Sequence, residues 1–396
     1  MSVGQRSSRI DLLRGVSILL VLLHHFNIAY SLRDAALSRW LAWGVVHAVV
    51  RNGNYAVTMF FAISGFLITG NALRHWGSLA SVDAGRFYAL RAARILPCVV
   101  LLVAVVSMLR LSGAAMFQNR PEQGPPVSFW VVDLAALTFW MNLLMARAGW
   151  VNYVLCVLWS LSVEEVFCLV FPVICRVLRR EAWVAACLAL PVLAGPLWRL
   201  AHQDDEAGFL YAYLACFDAI AIGCWAALLA ARMRRLGADA ASGRGGAGAR
   251  RGVRDAVAVA AMAVLYLGWP ISDTNVFGVT VVALGTAVLL LGADRSTVGP
   301  IGGVAGAAAG AAASAAGGIV RWFGRRNYEL YLFHLVVLGL LRSVAPPGTA
   351  SSGGLLFLTA YLGGSALLAE GVARIWSEPA NRAIRRRLVR PGMMAA

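Results

Sequence analysis

The sequence predicts an all-α integral membrane protein, about ten transmembrane helices around a central polar cavity. Three observations carry this. Of the 396 residues 60% are hydrophobic, and the mean hydropathy is +0.72, well outside the range of soluble domains. Several apolar stretches approach or exceed the ~18 residues that cross a hydrocarbon core of ~30 Å. The arginine clusters between them fall in alternate loops, and so on one side, as membrane orientation requires. One membrane domain covering 1–396 is the expected unit.

The apolar stretches run, in order, over roughly 12–31, 54–73, 95–111, 153–175, 182–199, 208–231, 255–271, 276–292, 327–345 and 354–376. If Arg6 and Arg9 are cytoplasmic, ten crossings place Arg74, Arg86, Arg91 and Arg94 inside, then Arg176, Arg179 and Arg180. The cluster from Arg232 to Arg254, then Arg321, Arg325 and Arg326, and the basic tail 377–396 also fall inside; the acidic "HQDDE" at 202–206 falls outside. Letting either 129–146 or the Gly/Ala-rich 299–318 cross alone would put the later arginines on the wrong side. The first is therefore expected in the outer interface or re-entrant, and the second as a cytoplasmic linker, because Gly and Ala insert weakly and glycines weaken a helix.

The net charge of +16 comes with 35 basic residues, all arginine. A pI near 10.4 fits a nucleic-acid binder only when the charge lies on a soluble face; here it lies between spans, so no nucleic-acid partner is expected. Seven cysteines, with no C-x-x-C pair and most inside apolar runs, read as small core residues. No metal site is expected. The N-terminal run lacks an A-x-A cleavage signal and reads as a retained span.

Polar groups inside the spans point to function, because ionisable side chains in a bilayer are costly and turn toward a bundle interior or a wet cavity. In "DLLRGVSILLVLLHH" (11–25), Arg14 and His25 project within ~20° of each other and lie ~16 Å apart along the helix, with Asp11 one turn before Arg14. The alternative is an Arg14 that snorkels and a His25 at the outer headgroups. His24 points about 100° away and reads as structural. Ser64-Gly65 in "MFFAISGFLITG" permit close helix packing or contact with a ligand chain. Arg86, Arg91 and Arg94 in "RFYALRAARILP" suit phosphates, or simply orientation and anionic lipid. Glu164 and Glu165 in "LWSLSVEEVFCLVFP", Asp218 in "CFDAIAIG", and Tyr331 with His334 in "NYELYLFHL" complete the candidate polar cavity.

Taken in order, R-x10-H (Arg14, His25), FFxxSG (Phe60, Phe61, Ser64, Gly65), RxxR (Arg91, Arg94), WSLSVEE (159–165), YLFH (331–334) and a closing EP (Glu378, Pro379) resemble the acyltransferase-3 family of bacterial membrane acyltransferases over almost the whole chain. The family's usual ten-span core agrees with the arginine count. Some members add a soluble hydrolase-like domain outside the membrane; none is expected here. The resemblance implies a multi-pass protein of the bacterial cytoplasmic membrane with both termini cytoplasmic. It would move an acyl group, acetyl first, from cytoplasmic acyl-CoA to a hydroxyl of a carbohydrate or glycolipid acceptor. Acyl-CoA would be a co-substrate, with no permanently bound cofactor. On this resemblance His25 is the general base, Glu164 or Glu165 orients it, and Arg14 orients the donor or stabilises the oxyanion. Arg91 and Arg94, with Arg86, hold CoA phosphates, and Ser64-Gly65 let the pantetheine arm pass. A covalent acyl-enzyme is disfavoured, since no cysteine stands beside a histidine. The rival reading is a proton-coupled transporter or flippase of a lipid-linked sugar, with His25, Glu164 and Asp218 as relay; the matched broken helices of such carriers are missing from the pattern.

Overall fold

The computed structural model describes residues 7–34, 42–119, 126–236, 246–292, 307–346 and 354–389. No strand forms among them. The chain runs through α1 (Ser8–Tyr30), α2 (Trp43–Val50), α3 (Gly53–Trp76), α4 (Ala84–Leu111), α5 (Phe129–Leu137), α6 (Met141–Ala148), α7 (Trp159–Leu178) and α8 (Glu181–Ala201). It continues through α9 (Glu206–Tyr211), α10 (Tyr213–Arg235), α11 (Gly246–Gly268), α12 (Ile271–Leu290), α13 (Ala307–Arg325), α14 (Asn327–Val344), α15 (Gly354–Val372) and α16 (Glu378–Val389).

Every expected span coincides with a helix. Eight stretches are long and apolar enough to cross a membrane: Ser8–Tyr30, Trp43–Trp76, Ala84–Leu111, Leu155–Leu178, Glu181–Ala201, Glu206–Arg235, Ile271–Leu290 and Gly354–Arg387. The other two expected spans are helices with a heavier polar load. Helix α11 opens with Arg250, Arg251, Arg254 and Asp255, and α14 carries Glu329, His334 and Arg342. The protein is thus a multi-pass helical membrane protein, and ten is an approximate count.

Segment 129–146 does not form one long helix. It breaks into α5 and α6 around Phe139, whose φ of 61° no continuous helix tolerates. At nine and eight residues each rises only ~12–14 Å. Of the Gly/Ala-rich segment 299–318, expected as a linker, residues up to 306 lie outside the described ones, and from Ala307 the chain is helical. Beyond that segment, α13 packs against α1 through small residues. Gly324 of α13 rests on the Asp11 carbonyl and Gly15 of α1 on the Val320 carbonyl, leaving no room for a Cβ at either. That approach gives helix–helix contact without a strongly apolar surface. The first part of the tail is helix α16; residues 390–396 lie outside the described ones, as do 1–6 with Arg6.

The core is built on α3, 16 of whose 24 residues are buried. It crosses α10 through the same device: Gly65 abuts the Ile220 carbonyl and Gly223 the Ala62 carbonyl. Gly77, at φ 73°, ends α3 in a conformation that glycine adopts without strain. Asn52, just before α3, ties it to the α11–α12 corner. Its amide donates to the carbonyls of Tyr266 and Trp269 (2.5 and 2.8 Å), and its carbonyl accepts from Ile271 N–H (3.0 Å).

Candidate active site

Two cavities open into the bundle from opposite ends of α1. The first, about 740 Å³ with its mouth, is lined by Arg14 of α1, Phe60, Phe61 and Ser64 of α3, Arg91 and Arg94 of α4, Ser160 and Glu164 of α7, and Tyr328 and Tyr331 of α14. The second is larger, about 2130 Å³ with its mouth. His24 and His25 line it beside Arg51, Asn54, Trp150, Tyr153, Trp159, Asp204, Glu206, Tyr211 and Arg342. Val57 of α3 and Tyr331 of α14 line both. One stripe of α1 carries Arg14 into one cavity and His25 into the other, and His24, expected to point elsewhere, lines the second cavity as well.

His25 is held by its own helix. Its Nδ1 lies 2.9 Å from the Val21 carbonyl. A carbonyl only accepts, so Nδ1 carries the proton and Nε2 is the ring's free acceptor. The expected orienting carboxylate is absent from this position. Glu164 sits instead at the arginine cavity, where Ser64 Oγ (2.6 Å) and Arg91 Nη2 (2.5 Å) both donate to Oε1. The physical reason is position along α7. Trp159, at its start, lines the histidine cavity, and Glu164 is ~7.5 Å further along the helix. What stands beside His25 is His334, with ring centroids 4.9 Å apart. His24 donates from Nδ1 to the Val50 carbonyl (2.7 Å), pinning the end of α2, and also lines the histidine cavity.

The arginines divide. Arg91 grips Glu165 with Nε (2.9 and 2.8 Å) and Nη2 (2.7 Å) while reaching Glu164, so its fork is filled by carboxylates. Arg94 is exposed at the cavity wall and makes no hydrogen bond or ion pair shown among the described residues. Arg86 lies outside the cavity; its backbone N–H is capped by Asp83 (3.0 Å) at the start of α4. Ser64 lines the cavity, but Gly65 faces α10, so the packing reading holds for the glycine. Asp11 and Glu165 are buried without lining either cavity.

Asp218 leaves the candidate set. It forms a sealed ion pair with Arg199 (Nη2 to Oδ2, 2.8 Å), both side chains fully buried. Thr280 Oγ1 accepts from Arg199 (2.8 Å) and donates to Asp218 (2.7 Å), and Arg199 Nε donates to the Val276 carbonyl (3.1 Å). The donors and acceptors satisfy one another, which marks a structural pair. Tyr331 is positioned by α7. Its hydroxyl donates to the Val157 carbonyl (3.1 Å), leaving Ser160 Oγ (2.6 Å) to donate to it. All seven cysteines are free and none lines either cavity. No cluster fit for a metal occurs among the described residues. The closing EP motif has a structural setting: Glu378 pairs with Arg326 (2.5 Å), which also binds Glu370 (2.7 Å).

Sequence reasoning missed Ser160, Arg342 and the aromatic lining Trp150, Tyr153 and Tyr211. Ser160 and Trp159 stood within the WSLSVEE motif; the others carry no periodic or spacing signal.

Fold and site together define a multi-pass membrane protein with a buried polar site reached from both ends, the architecture of an intramembrane group-transfer catalyst. The chain belongs to the acyltransferase-3 family, whose description, "Acyltransferase domain", matches residues 7–370. A protein of Staphylococcus aureus (strain COL) named "Putative O-acetyltransferase" is 29% identical over 172 residues, 42% of this chain and 24% of that protein. Its counterpart in strain MRSA252 matches equally. The peptidoglycan O-acetyltransferase OatA of Listeria monocytogenes is 25% identical over 166 residues, 41% of this chain and 23% of that protein. The matched segment thus spans about a quarter of these relatives' length. No solved structure matches the chain.

Proposed function

We propose that the protein transfers an acyl group, acetyl first, from cytoplasmic acyl-CoA to a hydroxyl of an extracytoplasmic or lipid-linked carbohydrate, with His25 as general base. The carrying observation is the pair of cavities meeting at Val57 and Tyr331, with His25 on one side and the arginines on the other. The arginine cavity lies on the arginine-rich side of the spans, which the positive-inside rule assigns to the cytoplasm. It takes the donor: Arg94 meets the CoA phosphates, and Arg14 orients the donor. Arg14 is remote from the oxyanion, because ~16 Å of helix separates it from His25. Arg91 acts less on phosphate than on holding Glu164 and Glu165 in place.

The histidine cavity takes the acceptor. Trp150, Tyr153, Trp159 and Tyr211 offer flat apolar faces to sugar rings, with polar groups between them. The acceptor hydroxyl gives its proton to His25 Nε2 as its oxygen attacks the thioester carbonyl. The tetrahedral centre then collapses, the C–S bond breaks, and the proton on Nε2 passes to the departing CoA sulfur. Two bound substrates and one base suffice. The relatives' names support acetyl as the acyl group and a cell-wall glycan as one acceptor class.

The test supplies labelled acetyl-CoA to membranes carrying the chain and follows ester formation on surface glycans. Label appearing with the wild type and absent with His25→Ala supports the reading. Equal labelling by both removes His25 from the chemistry.

A further inference from the structure

The two cavities do not merely face each other. Two side chains, Val57 and Tyr331, belong to the walls of both. These shared walls are where a route from the arginine side to His25 would join the two cavities.

Their rigidity differs. Tyr331 is a fixed post. Its hydroxyl is held by the Val157 carbonyl and Ser160 Oγ, and its ring meets Phe60 edge to face at 6.2 Å. Val57 has no such tether. It is an aliphatic side chain, 6% exposed, on the most buried helix of the bundle. The backbone behind it cannot retreat, because a turn or two further along α3 is locked against α10 by Gly65 and Gly223. With post and backbone both fixed, the free width of the passage is set by the volume of the side chain at position 57.

We infer that Val57, set against the tethered Tyr331, is the acyl-length selector of this enzyme. The inference rests on acyl-CoA entering by the arginine cavity. The pantetheine arm and thioester come up to the constriction, and only the acyl carbonyl and its alkyl tail lie in it when Nε2 of His25 is in use. A β-branched side chain there leaves room for a short acyl group. Removing its two methyl groups opens space for added methylenes; adding one closes it. Apolar pockets discriminate by about tenfold or more per methylene when the fit is tight, so the effect belongs in the ratio of rates between acyl chains.

The experiment uses full-length protein in membranes, wild type, Val57→Ala, Val57→Ile and His25→Ala, normalised to folded protein. Each is given acetyl-CoA or butanoyl-CoA. Release of the CoA thiol is followed, with water and the membrane's own glycans as acyl acceptors and the His25→Ala rate subtracted. The butanoyl-to-acetyl ratio rises about tenfold in Val57→Ala and falls in Val57→Ile. The two substitutions shift it in opposite directions, so loss of one variant to misfolding still leaves the other to decide. An unchanged ratio in folded variants whose release depends on His25 overturns the selector and leaves the acyl-CoA reading standing. Wild-type membranes that release no more CoA thiol from either thioester than membranes lacking the protein overturn the donor reading, and the selector with it; release above that level that persists in His25→Ala removes His25 from the chemistry, and the ratio is then read on the rates without that subtraction.

Discussion

The imidazole rings of His25 and His334 lie 4.9 Å apart between centroids, at 67° to each other. Both use Nδ1 on carbonyls of their own helices, Val21 (2.9 Å) for one and Tyr331 (2.8 Å) for the other. Each ring is thereby the same tautomer, with Nε2 as its acceptor. His334 is fully buried and its Nε2 has no hydrogen-bond partner. On the proposed chemistry, edge contact with a ring fixed on α14 would hold the plane of His25, the part a carboxylate plays in serine-protease-type triads. His334→Ala lowers kcat by about a hundredfold, the scale of a 1 Å misplacement, with KM nearly unchanged. His334→Phe, which restores a ring without a lone pair, recovers most of that loss. Steady-state kinetics on both variants check the assignment; failure of the phenylalanine to rescue would assign the role to the lone pair.

His25→Ala removes transfer, by ~10²–10⁴-fold for loss of a general base, and leaves folded protein in the membrane. His24→Ala removes the bond to the Val50 carbonyl, about 1 kcal/mol, and an edge contact with the His25 ring at 5.5 Å, and retains most of the activity. Initial rates on equal amounts of folded protein decide between the two neighbours.

Arg91 and Arg94, three residues apart, fail differently. Arg91→Ala strips the shared cation from Glu164 and Glu165 and destabilises the fold by ~3–5 kcal/mol, the cost of leaving buried charge unpaired. Arg94→Ala keeps the thermal midpoint and raises KM for acyl-CoA roughly tenfold or more, as expected for one charge-assisted contact. Arg94→Lys restores part of the affinity, because the forked geometry is lost. Melting curves in detergent, read beside KM, separate the two roles.

Asp218→Ala leaves Arg199 charged and buried without its partner. The thermal midpoint falls, again on the scale of ~3–5 kcal/mol, while the rate per folded molecule stays near wild type, because neither residue lines a cavity. A loss of rate at unchanged stability would return Asp218 to the reaction.

Much of this was legible in the sequence, for identifiable reasons. Hydropathy and arginine placement located the spans because both follow from the bilayer itself. The Arg14/His25 stripe was readable because helical phase fixes which residues share a face. Partners on different helices were not readable. Nothing near position 164 says that Arg91 claims it, and nothing near 218 announces Arg199. The packing of α13 on α1 was not legible either, because insertion strength says nothing about close approach at glycines such as Gly15 and Gly324. The lining of the histidine cavity was not readable as a set, because it gathers Arg51, Trp150 and Asp204 with Pro270, Ile271 and Ser272 from stretches far apart in the sequence.

The central claim is that donor and acceptor meet from opposite faces of the membrane and only the acyl group crosses. Sealed vesicles of known orientation test it directly, with labelled acetyl-CoA confined to the face of the arginine cavity and membrane-impermeant glycan acceptor confined to the other. The account predicts labelled glycan in the acceptor compartment, dependent on His25, with acetyl-CoA remaining on its own side. Labelling that occurs only when both substrates share one compartment would contradict it.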